Sequence, residues 1–390
     1  MNTLQKPDVR PANPNFSSGP CSKRPGWRPD VLANAFLGRS HRHATGKKLL
    51  KEVIDRTRDV LKLPEGYRVG IVPGSDTGAI EMALWSVLGP RGVEVLSWES
   101  FGKQWAVDVS KQLKLDDVKL TDAPYGEIPD LSKVDFSRDV IFTWNGTTGG
   151  VKAPNGDWIP ADREGLTIVD GTSAVFAMDM PWDKIDICTY SWQKAMGGEA
   201  AHGMLILSPR AVERIESYDP SWPMPKVFRM KKGDKLNEEI FEGITINTPS
   251  MLCVEDALDG LKWAESIGGL NALLKRVNDS FTTLSVWVES ADWIDFICKD
   301  PASRSDTSVV LVVTDPWFTD MDEATQRDFI KKLTGLLDKE GAAFDIGSHR
   351  DAPPGLRIWC GATVEARDIK ALGPWLDWAF HTVKSELQGA

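Results

Sequence analysis

The sequence predicts an α/β fold: a large domain with a mostly parallel central sheet flanked by helices, followed by a smaller C-terminal α+β domain. Three observations carry this. Short β-prone runs alternate with helical ones through the first two thirds of the chain, the pattern changes to long helices from about residue 250, and 390 residues are enough for more than one core.

Residues 1–30 are rich in Pro, Asn and Ser and read as an irregular arm that needs another surface for order. From Gly46 onward, Leu49, Leu50, Val53, Ile54, Val60 and Leu61 recur at helical spacing. The β-prone runs are YRVGIVP, GVEVLSW, DVIFTW, LTIVD, DICTYS and GMLIL, with helices predicted over 76–88, 102–114 and 209–217. Helices over 250–266 and 269–289, the strand SVVLVV, a charged helix over 320–340, the strand GLRIWC and a closing helix complete the chain. The large domain is expected over 31–262 and the small one over 263–390. In such a fold the chemistry gathers at the carboxyl ends of the strands.

Composition narrows the functional classes. With 46 Lys+Arg against 56 Asp+Glu the formal net charge is −10, which argues against broad attraction to nucleic acid and for small-molecule or protein partners. The five cysteines are scattered, odd in number and without CxxC spacing, so neither a disulfide framework nor a metal site is indicated. The N-terminal stretch has no apolar h-region and no apolar run approaches the ~18 residues a membrane span needs. A cytoplasmic protein without a membrane segment is expected.

Several residues stand just past predicted strands. LTIVD ends on Asp170, and DICTYS leads into Gln193 and Lys194. A lysine whose pKa is lowered by desolvation forms Schiff bases with aldehydes, and a carboxylate can keep a pyridinium nitrogen protonated. Singly, Asp170 also reads as a turn cap and Lys194 as a solvated turn residue. In GIVPGSDTGAIEMALW, a turn at Gly74 precedes a helix opened by Ser75 and Asp76, a seat for a phosphate or an ordinary N-cap. Trp105 could stack on a planar ring or pack in the core, since the chain holds 16 tryptophans. Asn145, Thr147 and Thr148 in FTWNGTTGGV could bond a phenolic oxygen or form a plain loop.

Histidine is scarce, yet His41, Arg42 and His43 fall together in SHRHATGKK, as do His349 and Arg350 in GSHRDAPPGLRIW, with Arg357 close behind. Arginine's planar fork grips carboxylate or phosphate through paired hydrogen bonds, so these clusters suggest an anionic substrate; surface ion pairs are the alternative.

Taken in order, NFSSGP, SHR, the glycine turn, Trp105, NGTT, Asp170, QK, NTPS and HR…R resemble the phosphoserine aminotransferase family, class V aminotransferases of the fold-type I pyridoxal phosphate group, over roughly residues 15–380. The resemblance implies pyridoxal 5′-phosphate as cofactor, Lys194 as its Schiff-base lysine and proton carrier, and Asp170 as partner of the pyridine nitrogen. It implies Trp105 on the ring, Thr147 or Thr148 at the phenolic oxygen, and Ser75, Asp76 and Gln193 around the phosphate. Asn247 and Thr248 would reach the neighbouring subunit's cofactor in a homodimer. Arg357 would hold the substrate α-carboxylate, and His41, Arg42, His349 and Arg350 the substrate phosphate or the side-chain carboxylate of glutamate.

The implied reaction transfers the amino group of L-glutamate to 3-phosphohydroxypyruvate, giving O-phospho-L-serine and 2-oxoglutarate. The alternative is another class V aminotransferase acting on serine, alanine or glyoxylate without a substrate phosphate. A cysteine desulfurase would need a mobile nucleophilic cysteine, whereas Cys188 and Cys360 lie in predicted strands.

Overall fold

The structure, a computed structural model, describes residues 4–389. Its main sheet has seven strands in the order β1-β9-β8-β7-β4-β2-β3: β1 Arg68–Pro73, β2 Val93–Ser97, β3 Val118–Asp122, β4 Asp139–Thr143, β7 Thr167–Asp170, β8 Ile187–Ser191 and β9 His202–Leu207. Only β9 runs antiparallel to its neighbours. The two-residue strands β5 Asn145–Gly146 and β6 Val151–Lys152 form a separate hairpin, as do β10 Lys231–Lys232 and β11 Lys235–Leu236. Helices α1 Ala44–Leu61, α2 Ser75–Val87, α3 Ser100–Val107, α4 Pro209–Ser217 and α5 Met251–Ser266 cover the sheet.

β2, β4, β7, β8 and β9 are buried along their whole length, as expected of strands covered on both faces. The helix predicted over 102–114 is α3 followed by a π-turn over Asp108–Gln112, and it starts earlier because the Glu99 carboxylate caps it by accepting from Gly102 N. The edge strand β3 and the short β12 lie outside the predicted runs.

After α6 (Leu270–Ser290) comes a three-stranded antiparallel sheet, β12 Ile294–Phe296, β13 Ser308–Val313 and β14 Gly355–Trp359. The short α7 Pro316–Thr319, then α8 Glu323–Lys339 and α9 Ala366–Gly389, pack with it. Trp293 stacks on Phe380 of α9 with ring centroids 4.2 Å apart.

The N-terminal arm finds its surface here. Pro14 and Phe16 carbonyls accept from Phe344 N (2.9 Å) and Trp359 N (3.0 Å), and the Val9 carbonyl accepts from the Trp375 indole (2.8 Å). The Phe16 ring is wholly buried. Beyond it, Cys21 N donates to the Gln193 carbonyl at 2.8 Å, which carries the arm across the carboxyl ends of the large sheet. Phe16→Ala should therefore destabilise the protein by about 3–5 kcal/mol, read as a drop in the urea midpoint. A change of under ~1 kcal/mol would mean that the backbone bonds alone hold the arm.

Candidate active site

Asp170 is the last residue of β7, with Thr143 of β4 and Thr189 of β8 as its cross-strand neighbours. Its Oδ1 accepts from Thr172 N at 3.0 Å and its Oδ2 from the Trp105 indole at 3.2 Å. The indole thus meets the carboxylate with its N–H edge.

Lys194 follows β8 in a turn, and its Nζ is buried and donates to the Ser18 carbonyl of the arm. Burial lowers the pKa of this amine and the Arg357 cation adds to the shift, whereas Asp170 and Glu99 oppose it. Gly19 is needed beside it: its φ is +153° and a Cβ there would collide with Lys194 Nζ. Burial pushes the thiol of Cys21 up to about 12, so it is held as a neutral thiol.

Both amino-acid groups line one cavity of about 360 Å³, with Asp76, Glu99, Trp105 and Asn145. Helix α2 opens onto it from Gly74, at φ +85°, and no side chain caps the helix start, in contrast to the capping role that Ser75 and Asp76 suggest in sequence. Ser75 Oγ instead lies 3.3 Å from Ser191 Oγ, which donates to Gln193 Oε1 at 2.5 Å. The Asp76 carboxyl is buried with Oδ1 unpartnered, and burial together with the charge of Asp170 raises its pKa well above the carboxylate range. Of the two threonines, Thr147 lines the cavity and bonds Ser308 Oγ at 3.0 Å, whereas Thr148 donates to Glu99 Oε2 at 2.7 Å. Asn145 Oδ1 is buried and unpartnered.

Arg357 on β14 and His349 lie within electrostatic reach of Lys194, and the Arg357 Nε is buried without a partner. His349 Nδ1 is 3.3 Å from Ser100 Oγ and 3.5 Å from Asp351. Burial, with the adjacent arginine cations, lowers the pKa of both His41 and His349. Among the described residues of this one chain, none of the predicted substrate-binding residues His41, Arg42, His349, Arg350 and Arg357 lines the cavity, nor do Asn247 and Thr248; Arg42, Arg350, Asn247 and Thr248 are exposed, His349 and Arg357 half-buried and His41 buried.

Glu99 is the cavity residue that sequence reasoning missed. In LSWES nothing local marks it, and it lies against Gly146 and Gly149, where a Cβ would meet Glu99 side-chain atoms. The neighbouring glycine-rich NGTTGG was the available signal. Burial raises the Glu99 pKa to about 7, against the opposing hydrogen bonds from Gly102 and Thr148.

Apart from Asp368, whose carboxylate accepts from Ala12 N of the arm at 2.8 Å, the buried acids outside the cavity are ion-paired. Asp139 is paired with Arg214, Asp186 with Arg163 and Arg210, Glu94 with Lys119 and Asp256 with Lys23. Asp76, Glu99 and Asp170 have no ion pair among the described residues, and all three line the same cavity. Uncompensated buried carboxylates cost stability and mark a functional site.

No family model matches the chain. It is 58% identical over 379 residues to the phosphoserine aminotransferase of Methanosarcina barkeri, covering 97% of this chain and 100% of that one. The chain belongs to the phosphoserine aminotransferase family. The fold agrees: the structure of a PLP-bound phosphoserine aminotransferase from Trichomonas vaginalis matches with TM-score 0.74 at 18% identity, covering 94% of this chain and 99% of that one. An alanine–glyoxylate aminotransferase from Nostoc matches as well, with TM-score 0.77 at 17% identity over 96% of this chain and 97% of that one. Backbone shape therefore does not separate phosphoserine aminotransferases from other aminotransferases of this fold; sequence identity does.

The Glu99 pKa has a measurable consequence for stability. The folded value of about 7 is raised above the ordinary 4.5, so the contribution of this carboxyl is fully present below pH 4.5 and is lost as pH rises through 7. Cofactor-free Glu99→Gln should gain on the wild type by up to ~3 kcal/mol between pH 5 and pH 8 in urea unfolding. A pH-independent difference would show that the carboxyl is not buried as described.

Proposed function

We propose that the chain transfers the amino group of L-glutamate to 3-phosphohydroxypyruvate, using pyridoxal 5′-phosphate held in the cavity of Lys194 and Asp170. The observation that carries this reading is the buried amine of Lys194 and the buried carboxylate of Asp170 lining one cavity at the ends of neighbouring strands.

The residues present fit the cofactor. A cavity of about 360 Å³ lies in the range of ligand sites. The uncapped start of α2 offers backbone N–H groups and the positive dipole end to a phosphate, with Ser75 and Gln193 alongside. Asn145 Oδ1 and Asp76 Oδ1 are buried polar atoms awaiting partners. When bound, the cofactor supplies an aldehyde carbon and an electron-withdrawing ring.

Lys194, kept towards the neutral amine by burial, can take the proton from Cα of glutamate and later return one to Cα of the product. Asp170 holds a proton on the ring nitrogen, and the Trp105 N–H fixes the orientation of that carboxylate. Trp105 bounds the ring, and Thr147 stands for the phenolic oxygen. Arg357, with an unpartnered Nε, takes the α-carboxylate. The lowered pKa values of His41 and His349 leave them as neutral hydrogen-bonding groups at pH 7, so the charge that meets the substrate phosphate or distal carboxylate comes from Arg42 and Arg350.

A homodimer fits the segment holding Asn247 and Thr248. Its backbone is pinned, with Ser250 N donating to His202 Nε2 at 3.1 Å and the Asn247 carbonyl accepting from Thr245 Oγ1 at 2.7 Å, while both side chains are exposed for a neighbour. A cytoplasmic setting fits five free cysteines; no described helix is long and apolar enough to cross a membrane.

Lys194→Ala should remove the visible absorbance band of lysine-bound cofactor and lower kcat on the order of 10⁴-fold; an unchanged spectrum would refute the assignment. For Arg42→Ala, KM for 3-phosphohydroxypyruvate should rise about tenfold or more. Unaltered kinetics across a panel that includes alanine, serine and glyoxylate would instead favour an enzyme that reads no substrate phosphate.

A further inference from the structure

His202 has no part in the transfer just described, yet its contacts join three elements around the cavity. It opens β9 opposite Pro73 of β1, which puts it beside the Gly74–Ser75 turn. Its buried ring packs on the indole of Trp192, which leads into Gln193 and Lys194, with ring centroids 5.2 Å apart. Its Nε2 accepts from Ser250 N, at the start of α5, at 3.1 Å.

The backbone on either side of His202 is pressed against the turn that opens α2. Ser75 N donates to the Ala201 carbonyl at 3.3 Å, and a Cβ on Gly203 would collide with the Ser75 carbonyl oxygen. Ser75 and Ala201 hold φ of +60° and +89°, left-handed values that residues with a Cβ avoid. Strain of this kind persists where the surroundings over-determine the backbone, and it gathers at ligand sites.

The hydrogen bond also fixes the chemical form of the ring. Because Nε2 accepts an amide proton, the ring proton is on Nδ1, which has no acceptor among the described residues. Burial pushes the imidazole pKa down to about 4, so the ring is neutral at pH 7. The place of the ring is therefore set by the Ser250 bond and the Trp192 contact. No other hydrogen bond among the described residues ties residues 245–250 to the main sheet.

We propose that His202 is a positioning residue for the cofactor phosphate: its Nε2 locks the segment that carries Asn247 and Thr248 onto the turns that carry Ser75 and Gln193. Both side chains of that segment are exposed, so its backbone anchor decides where they stand. Without the acceptor, Ser250 N is left unpaired and the segment is released from the sheet.

The inference rests on the cofactor reading above, including the reach of that segment to the neighbouring subunit, and the test tells the two apart. The full-length chain, freed of cofactor, is titrated with pyridoxal 5′-phosphate and separately with pyridoxal, which has the aldehyde but no phosphate. Binding is read from the visible band of the lysine-bound ligand. Two amide variants are compared. In His202→Gln the side-chain oxygen lies as many bonds from Cβ as Nε2 does and can accept from Ser250 N, whereas in His202→Asn it stops one bond short. His202→Asn should raise Kd for pyridoxal 5′-phosphate about tenfold or more and leave that for pyridoxal within about twofold. His202→Gln should keep phosphate binding within about threefold of the wild type. Unchanged affinity for pyridoxal 5′-phosphate in His202→Asn overturns the role of His202. An equal loss for both ligands, an equal loss in both variants, or failure of His202→Asn to fold makes it a packing residue and overturns the role as well. A wild type that shows no visible band with pyridoxal 5′-phosphate overturns the cofactor site itself.

Discussion

A lysine amine buried within reach of an arginine is the constraint on which the site depends. Removing an ammonium from water costs several kcal/mol, and a second cation nearby adds to that cost. The protein answers in two ways. Lys194 is driven towards the neutral amine, and its N–H is satisfied by the Ser18 carbonyl. The N-terminal arm is thus part of the cavity wall, and its anchoring at Phe16 and Trp359 bears on the reactive nitrogen two residues further on. Gly19 belongs to the same constraint, since only a residue without Cβ leaves Nζ its place.

The buried acids sort by their position on the strands. Asp139 opens β4 and Asp186 precedes β8, and both are gripped by arginines that fasten the amino ends of the sheet. Asp170 closes β7, and Asp76 and Glu99 lie at the helix starts that follow β1 and β2, with no ion pair among the described residues. The first kind stitches the sheet to the helices. The second kind concentrates buried carboxyl groups without a cationic partner where strand ends leave room for a ligand, as in parallel sheets. Carboxyl groups left without a cationic partner in a cleft gather at functional sites.

What could be read from sequence follows from the range of the interactions involved. The strands that hold the site are continuous apolar runs, and Asp170 and Lys194 stand directly after two of them, so local pattern revealed both. β3 escaped because it is an edge strand with exposed Lys119 and Leu120 and no buried residue, so it lacks the apolar signature. The closing turn of Trp105 onto Asp170 is not legible either: a tryptophan after a strand end says nothing of which edge it presents. Glu99 was invisible for the same reason. Its capping of α3 is local, but its desolvation is created by a loop some fifty residues away, through Gly146 and Gly149. The domain boundary expected near residue 262 falls inside α5, whose sequence carries no break. Arg42 and Arg350 illustrate the limit differently, because both are exposed and Arg350 stands 3.8 Å from the carboxylate of its neighbour Asp351, so the sequence cluster does not converge on the cavity.

The shared backbone of phosphoserine and alanine–glyoxylate aminotransferases moves the question of substrate onto charge. The cavity of this chain already contains Asp76, Glu99 and Asp170 against Lys194 and the nearby Arg357. An incoming dicarboxylate or phosphorylated acid brings two or more further negative charges into a region of low dielectric, where like charges repel strongly. The inner cations cannot balance that load, since Lys194 is driven towards neutrality and Arg357 can offset only one carboxylate. The exposed arginines differ in this respect: Arg42 and Arg350 keep their charge in contact with water, so an anionic group that they held would place the cost of its extra charge outside the low-dielectric interior that holds the buried amine.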